Sequence, residues 1–412
     1  MKLGKVDRRL LTILLIVFVQ MVGAAMIMPI LPLYAQREFD MSPQVITLLG
    51  TAFFAAQFIA GPYLGRLSDK YGRVPVLIVS QIGTAISFLM LAFAPSVGIL
   101  FLARIVDGIT GGNIIVAQAY LTDITPRERR TEALGYIFAV FGLGFIIGPA
   151  LGGILAAAFG PRVPYMIAAV VAGIVVLLTW FTLDESLTPE QREHNRAYKK
   201  ASLRPGQILR NGPLVLMLII AFVGQFGMGM LQSTFALFGA AVLFDGSSDK
   251  TVNLGIGLLL AVIGLSQFVT QAFLLRPLLR RYQEPWLVVG GNILRTFGFV
   301  LLAIIATPVL GALAGMFVAV GMALIMPPLQ SMSTTTVDDE LRGGVLGIYQ
   351  STLSLAIIFS SAIAGVIFAR DPSYPFWAAA LLSAVVMVPA VMLLRQYQNT
   401  PPKATPAAIG PD

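Results

Sequence analysis

The chain has 412 residues, 57% apolar and 12% charged, with a mean hydropathy of +0.84 and a formal net charge of +8. That is more apolar surface than one water-soluble core of this length can hide, which excludes a soluble globular chain and makes lipid part of its solvent. Zero cysteines exclude disulfides, thiolate metal sites and iron–sulfur ligation.

Apolar runs of about 20 residues cross roughly 30 Å of hydrocarbon. In chain order they fall at 10–34, 44–64, 74–94, 96–120, 132–158, 163–183, 213–241, 254–275, 285–306, 308–334, 343–368 and 374–395. The predicted fold class is therefore an all-α membrane protein with twelve transmembrane helices. The first run is too long for a signal-peptide core and is expected to stay as span one. The polar stretch 184–212 divides the spans into two six-helix halves, 1–183 and 213–395, and the Pro/Ala-rich tail 396–412 is expected to be disordered.

An even number of spans puts both termini on one side. That side carries 22 of the 28 Lys and Arg residues, in the N-terminus, the linker, the tail and four short loops. The other side has Arg37, Arg162, Lys250 and Arg370, while Arg104 and Arg295 lie within spans. The positive-inside rule then predicts cytoplasmic termini in a multi-pass protein of the inner (plasma) membrane. The net charge reports topology, and no nucleic-acid partner is expected. His194, the lone histidine, lies in the linker and cannot relay protons within the bilayer.

The halves repeat at an offset near 212 residues: TDITPRERRTEALG at 122–135 superposes on TTTVDDELRGGVLG at 334–347. Duplication of a six-span unit is a common plan of secondary transporters, with the substrate site near midplane between the halves.

Three segments carry further physics. In GRLSDKYGR (65–73), Gly65 and Gly72 permit a tight turn between spans two and three, and Asp69 and Arg73 place opposite charges at a helix end. In span four, LARIVDGITGGN puts Arg104 and Asp107 near mid-depth, where ionised groups cost several kcal/mol unless paired or hydrated. Their spacing sets them on one stripe with Gly108, Gly111, Ile115 and Gln118, a face suited to a central cavity. A carboxylate balanced between desolvation and a neighbouring cation can trade a proton; the plain alternative is a permanent ion pair holding the helix. In span five, GLGFIIGPALGG gives a small-residue face of Gly142, Gly144, Gly148, Gly152 and Gly153, and Pro149 lets the helix bend.

In order and position these segments resemble the signature motifs of the major facilitator superfamily. With MIMPILPLY in span one and AYLTDIT after span four, the chain is most similar to the drug/proton antiporters that include bacterial tetracycline and multidrug exporters. The resemblance implies gating by Gly65, Asp69, Gly72, Arg73 and Asp123, with Asp69 approaching the start of span eleven and Arg73 pairing with Asp123. It implies proton coupling at Arg104; Asp107 stands where many members have Gln, and its coupling role rests on the balance of desolvation and charge described above. It assigns an antiporter motif to Gly144, Gly148, Pro149, Gly152 and Gly153. One departure is Gln20, which stands where the tetracycline exporters carry an intramembrane Asp.

Candidate cavity residues are Gln20, Gln57, Asn113, Phe141, Phe145, Gln225, Gln232, Gln330, Tyr349 and Arg295, of which Arg295 has the plainer reading of snorkelling or capping a helix-end carbonyl. The spans sum to a formal +1, which favours neutral or weakly anionic amphiphiles over cations. The expected function is proton-coupled efflux of a small amphiphile by a monomer, with no metal or cofactor. A second reading is transfer of a lipid or glycolipid headgroup between leaflets. HExxH, GxSxG and Walker patterns are absent, which argues against an embedded enzyme, and the gating motifs argue against a scaffold.

Overall fold

The structure, a computed structural model, describes residues 8–111, 113–125, 130–188, 190, 211–337 and 342–399. Most of the 184–212 linker and of the 396–412 tail therefore lies outside the described residues. Among those described there is no strand, and twelve helices are long and apolar enough to cross a membrane. Spans one to six are Arg9–Phe39, Pro43–Tyr71, Arg73–Ala92, Val97–Ile124, Ala139–Phe159 and Val163–Thr182. Spans seven to twelve are Gly212–Leu243, Asp249–Arg281, Glu284–Ile304, Pro308–Thr335, Gly344–Phe368 and Tyr374–Gln398.

Several helices outrun their apolar windows. Span one bends at Met28–Pro29 and continues to Phe39, and span eight runs from Asp249 to Arg281. Charged residues at these ends are solvated while their backbone stays hydrogen-bonded, so hydropathy alone stops short of the true ends. Spans seven and eight each contain a π-helical turn, at Gly239–Leu243 and Thr270–Leu274. The outer surface is apolar: Trp180, Phe181, Val170, Leu381 and Val388 are all more than 60% exposed. Lipid is the solvent that makes such a surface stable.

The core is asymmetric between the two ends of the bundle. At the end away from the termini, one apolar cluster runs through both halves, joining Ile30, Tyr34, Leu49, Leu100 and Tyr165 to Leu231, Phe235, Phe238, Phe299 and Phe376. At the terminal end the cores are separate. Ile13, Val17, Leu77, Val116 and Tyr120 pack together in the first half, and Met217, Val288, Ile325, Tyr349 and Leu393 in the second. The bundle is thus sealed at the far end and parted at the terminal end.

The repeat pairs Thr122 with Thr334. Thr122 and its partner Thr334 both return their hydroxyls to the carbonyl three residues earlier, Ala119 and Ser331, at 2.8 and 2.7 Å. The central residues of the repeat, 126–129 and 338–341, lie outside the described residues.

Candidate functional site

At the terminal end, span two stays helical through Tyr71, and Gly72, at φ +109°, alone turns the chain into span three. The expectation that both motif glycines make the turn is corrected. Gly65 lies inside the helix, with the backbone bonds of the preceding turn continuing through it, whereas only Gly72 adopts the left-handed region that L side chains avoid. A Cβ on Gly65, or on Gly347 of span eleven, would meet nothing within 4 Å.

Arg73 is enclosed, with 8% of its side chain exposed. It donates Nη1 to Asp69 at 2.8 Å and to Ser68 Oγ at 2.7 Å, and Nε to Asp123 at 2.9 Å. Exposed ion pairs contribute under about 1 kcal/mol. Here burial and three acceptors remove the competing water that makes such pairs weak. Glu185 accepts from the backbone N–H groups of Arg73 and Val74 at 2.9 and 3.2 Å, placing a carboxylate at the positive end of span three. The start of span eleven, which Asp69 is expected to approach, lies partly outside the described residues.

In span four, Arg104 Nη1 meets Asp107 Oδ2 at 2.7 Å, and the guanidinium lies 4.1 Å from the Phe53 ring centroid. The pair is about one-tenth exposed, with Ser87 of span three beside the carboxylate. Arg104 and Asp107 lie seven and ten residues past Val97, about 10 and 15 Å from the far end of the span, against a hydrocarbon half-thickness of about 15 Å. The cavity-facing stripe is corrected. A Cβ on Gly108 would run into Ala56 and the Phe53 carbonyl, because spans two and four approach closely there. The helix Val97–Thr110 is followed by a turn at Gly111, whose carbonyl accepts from Gln57 at 3.1 Å, and helix is described again from Asn113.

Span five forms the seam between the halves. Gly144, Gly148 and Gly152 lie against Met21, Ala25 and Met26 of span one, while the Pro149 carbonyl and Gly153 lie against Gly257 and Asn253 of span eight. At Gly153 any side chain would meet the Asn253 carbonyl, so the two halves touch backbone to backbone. Close by, Arg37 at the end of span one reaches Asn253 Oδ1 at 3.3 Å and Asp249 at 3.0 Å. Thr51 and Ser361 join spans two and eleven at 2.9 Å. These polar ties between halves belong to the far end.

The candidate cavity residues are not gathered in one place. Gln20 is half-buried and lines a narrow space of about 10 Å³ with Gln81, Thr84 and Phe88, room for about one water. Gln57 is used at the Gly111 turn of span four; the Asn113 side chain lies outside the described residues. Phe141, Gln225, Gln232 and Gln330 are half-buried and Phe145 is exposed. Tyr349 is buried in the second half's core, its hydroxyl 3.4 Å from the Met326 carbonyl, so it packs rather than lines a cavity.

Arg295 departs most from expectation. It neither snorkels nor caps a helix end but is fully enclosed, donating to Asn292 Oδ1 and towards Met322 Sδ at 3.8 Å. Asn292 passes the chain on to the Ser383 carbonyl of span twelve at 2.8 Å. Gly224 of span seven leaves the room that the guanidinium fills. No carboxylate pairs with it among the described residues.

Sequence reasoning missed Glu185, Arg37, Asp249, Tyr34, Tyr165 and Gln81. Their partners lie far away in the chain or on other helices, and no local pattern marks them. Against known proteins, the Major Facilitator Superfamily model matches residues 13–262 and 250–411. The class C tetracycline resistance protein of Escherichia coli is 33% identical over 376 residues, 90% of this chain and 92% of that protein. Multidrug resistance protein 2 of Bacillus subtilis (strain 168) is 29% identical over 379 residues, 90% of each chain. The inward-facing, occupied structure of a bacterial homologue of the human lysosomal transporter Spinster superposes with a TM-score of 0.76 at 16% identity, covering 97% of this chain and all of that one.

Proposed function

We propose that this chain, which belongs to the Major Facilitator Superfamily, is a secondary transporter that exports a small amphiphilic compound from the cytoplasm in exchange for protons. The observation that carries this reading is the core that is shared at the far end and divided at the terminal end, built on a duplicated six-span unit. A repeat hinged in this way can rock between two accesses around a site at midplane. The relatives described as tetracycline and multidrug resistance proteins support efflux as the direction.

The charge distribution supports cytoplasmic termini in a plasma membrane, and the parted end then faces the cytoplasm. Cargo enters there, between the separate cores. The far end is held closed by the Gly153 seam, the Arg37 fork and the Thr51–Ser361 bond. In this reading Arg73, Asp69 and Asp123 hold the cytoplasmic gate. Gly65 and Gly347 face open space because their helices approach only when that gate shuts.

Asp107 is the proton carrier in this reading. It is the span carboxylate held in a dry core by one cation, so gain of a proton would release Arg104 and alter the packing of spans two, three and four. A proton driven inward by about 100 mV contributes roughly 2.3 kcal/mol. Arg295 leaves the second half with an unpaired positive charge, which supports neutral or weakly anionic cargo. A proteoliposome screen for compounds that release protons from an imposed pH gradient tests the reading. Proton release with neutral or anionic amphiphiles is the expected result, and substrate movement with no proton flux would refute coupling.

A further inference from the structure

Three buried polar groups at the far end have no role in the account above. The Tyr34 hydroxyl of span one, the Tyr165 hydroxyl of span six and the Arg104 Nε are enclosed, and none has a hydrogen-bond partner among the described residues. Tyr34 and Tyr165 are 1% and 0% exposed. Leaving a buried polar group unpaired costs about 1–3 kcal/mol, so three together in one region call for a function or for water.

Their arrangement is directional. The Tyr34 and Tyr165 rings lie 5.5 Å apart, centroid to centroid. Both share the far-end core with Leu100 and Ala103, the span-four residues beside Arg104. The Tyr165 hydroxyl lies within electrostatic reach of both the Arg104 guanidinium and the Tyr34 hydroxyl. Tyr34 in turn lines a cavity of about 260 Å³ at the far end, whose wall includes Arg37, Glu38, Asp249, Lys250 and Asn253. Around Asp107 stand Arg104 of span four, Ser87 of span three and Phe53 of span two. The order from outside inward is therefore charged vestibule, Tyr34, Tyr165, Arg104, Asp107.

We infer that Tyr34 and Tyr165 form the proton entry route from the far-end vestibule to Asp107. A proton from vestibule water adds to the Tyr34 oxygen as that hydroxyl gives its own proton inward. Tyr165 repeats the exchange through bridging water, which the orphaned Arg104 Nε is placed to hold. The last proton lands on the Asp107 carboxylate. Each O–H bond broken is replaced by one formed, so both tyrosines end unchanged and one proton has moved from vestibule water to Asp107. The tyrosines are positioning and relay residues, and the proton is stored elsewhere. This inference rests on the reading of Asp107 as the proton carrier.

The test needs no known cargo. Purified protein is subjected to a stopped-flow acid jump with pyranine as the probe, comparing wild type, Asp107→Asn, Tyr34→Phe, Tyr165→Phe and the double tyrosine variant. The expected result is a proton-uptake amplitude that Asp107→Asn abolishes, and that the tyrosine variants keep while its rate falls at least tenfold in the double variant. A purely structural role would change amplitude and melting temperature, not rate alone. If Tyr165→Phe does not fold, Tyr34→Phe gives the same readout by itself. An Asp107-dependent amplitude with an unchanged rate overturns the tyrosine route alone. Equal amplitudes in wild type and Asp107→Asn overturn the carrier and the route together.

Discussion

The two halves are copies of one six-span unit with their charges placed differently. At the repeat offset, Arg104 and Asp107 of the first half correspond to Met316 and Ala319 of the second, and Arg73 and Asp123 correspond to Pro285 and Thr335. Conversely Arg295, the buried cation of the second half, corresponds to Gly83. The first half therefore holds paired ions that a proton or a conformational change can part. The second holds one buried cation that donates to an amide and towards a thioether, with no carboxylate paired to it among the described residues. Duplication fixed the frame, and the proposed cycle assigns switching to one copy and a static field to the other.

The largest effect expected from this contrast is at Asp107. Asp107→Asn is expected to abolish proton-driven accumulation, a loss of at least tenfold, while downhill exchange in the same liposomes persists, because rocking does not need the carboxylate. The gate comes next. Asp69→Asn removes one of two carboxylates from an enclosed arginine and is expected to lower transport about tenfold with substrate binding to detergent-solubilised protein nearly intact. Equal loss of both would mark misfolding and erase the distinction between gate and cavity.

Smaller effects probe the second half. Arg295→Met removes a buried, uncompensated charge, and thermal unfolding is expected to show stability unchanged or raised by about 1–3 kcal/mol. Proton coupling should survive in this variant. A loss of coupling would break the division of labour between the halves. Smallest is Arg37→Ala at the half-exposed outer clasp, which is expected to move the balance between the two accesses by under about 1 kcal/mol, or roughly fivefold, read as the occupancy of the far-end-closed state.

The spans were legible because hydrocarbon demands apolar runs of a fixed length, and the repeat because two copies of one sequence still align. The Arg73–Asp123 pair followed from the resemblance of GRLSDKYGR and AYLTDIT to known motifs, and the structure places those residues 2.9 Å apart. What stayed hidden depends on neighbours brought by the fold. Glu185 reads as the start of a polar linker yet caps span three from 112 residues away. Arg295 reads as a snorkelling cation until Gly224, on a different helix, provides the space it occupies. The turn at Gly111 in span four leaves no stronger signal than a pair of glycines. Tyr34 and Tyr165 read as ordinary core aromatics; only their orphaned hydroxyls distinguish them.

In the proposed transport cycle, protonation of Asp107 governs whether the terminal end is parted. The chain has no cysteine, so Arg66→Cys and Leu346→Cys, on exposed positions of spans two and eleven, accept spin labels without background. Pulsed electron–electron distance measurements in lipid nanodiscs would compare acidic and alkaline samples of this pair with and without Asp107→Asn. The expected result is a long distance at acidic pH, a shorter population that grows at alkaline pH, and in Asp107→Asn a mixture of the two distances that pH does not change. A single distance that ignores pH in the unmodified background, or an Asp107→Asn variant that shortens as the parent does, would contradict it.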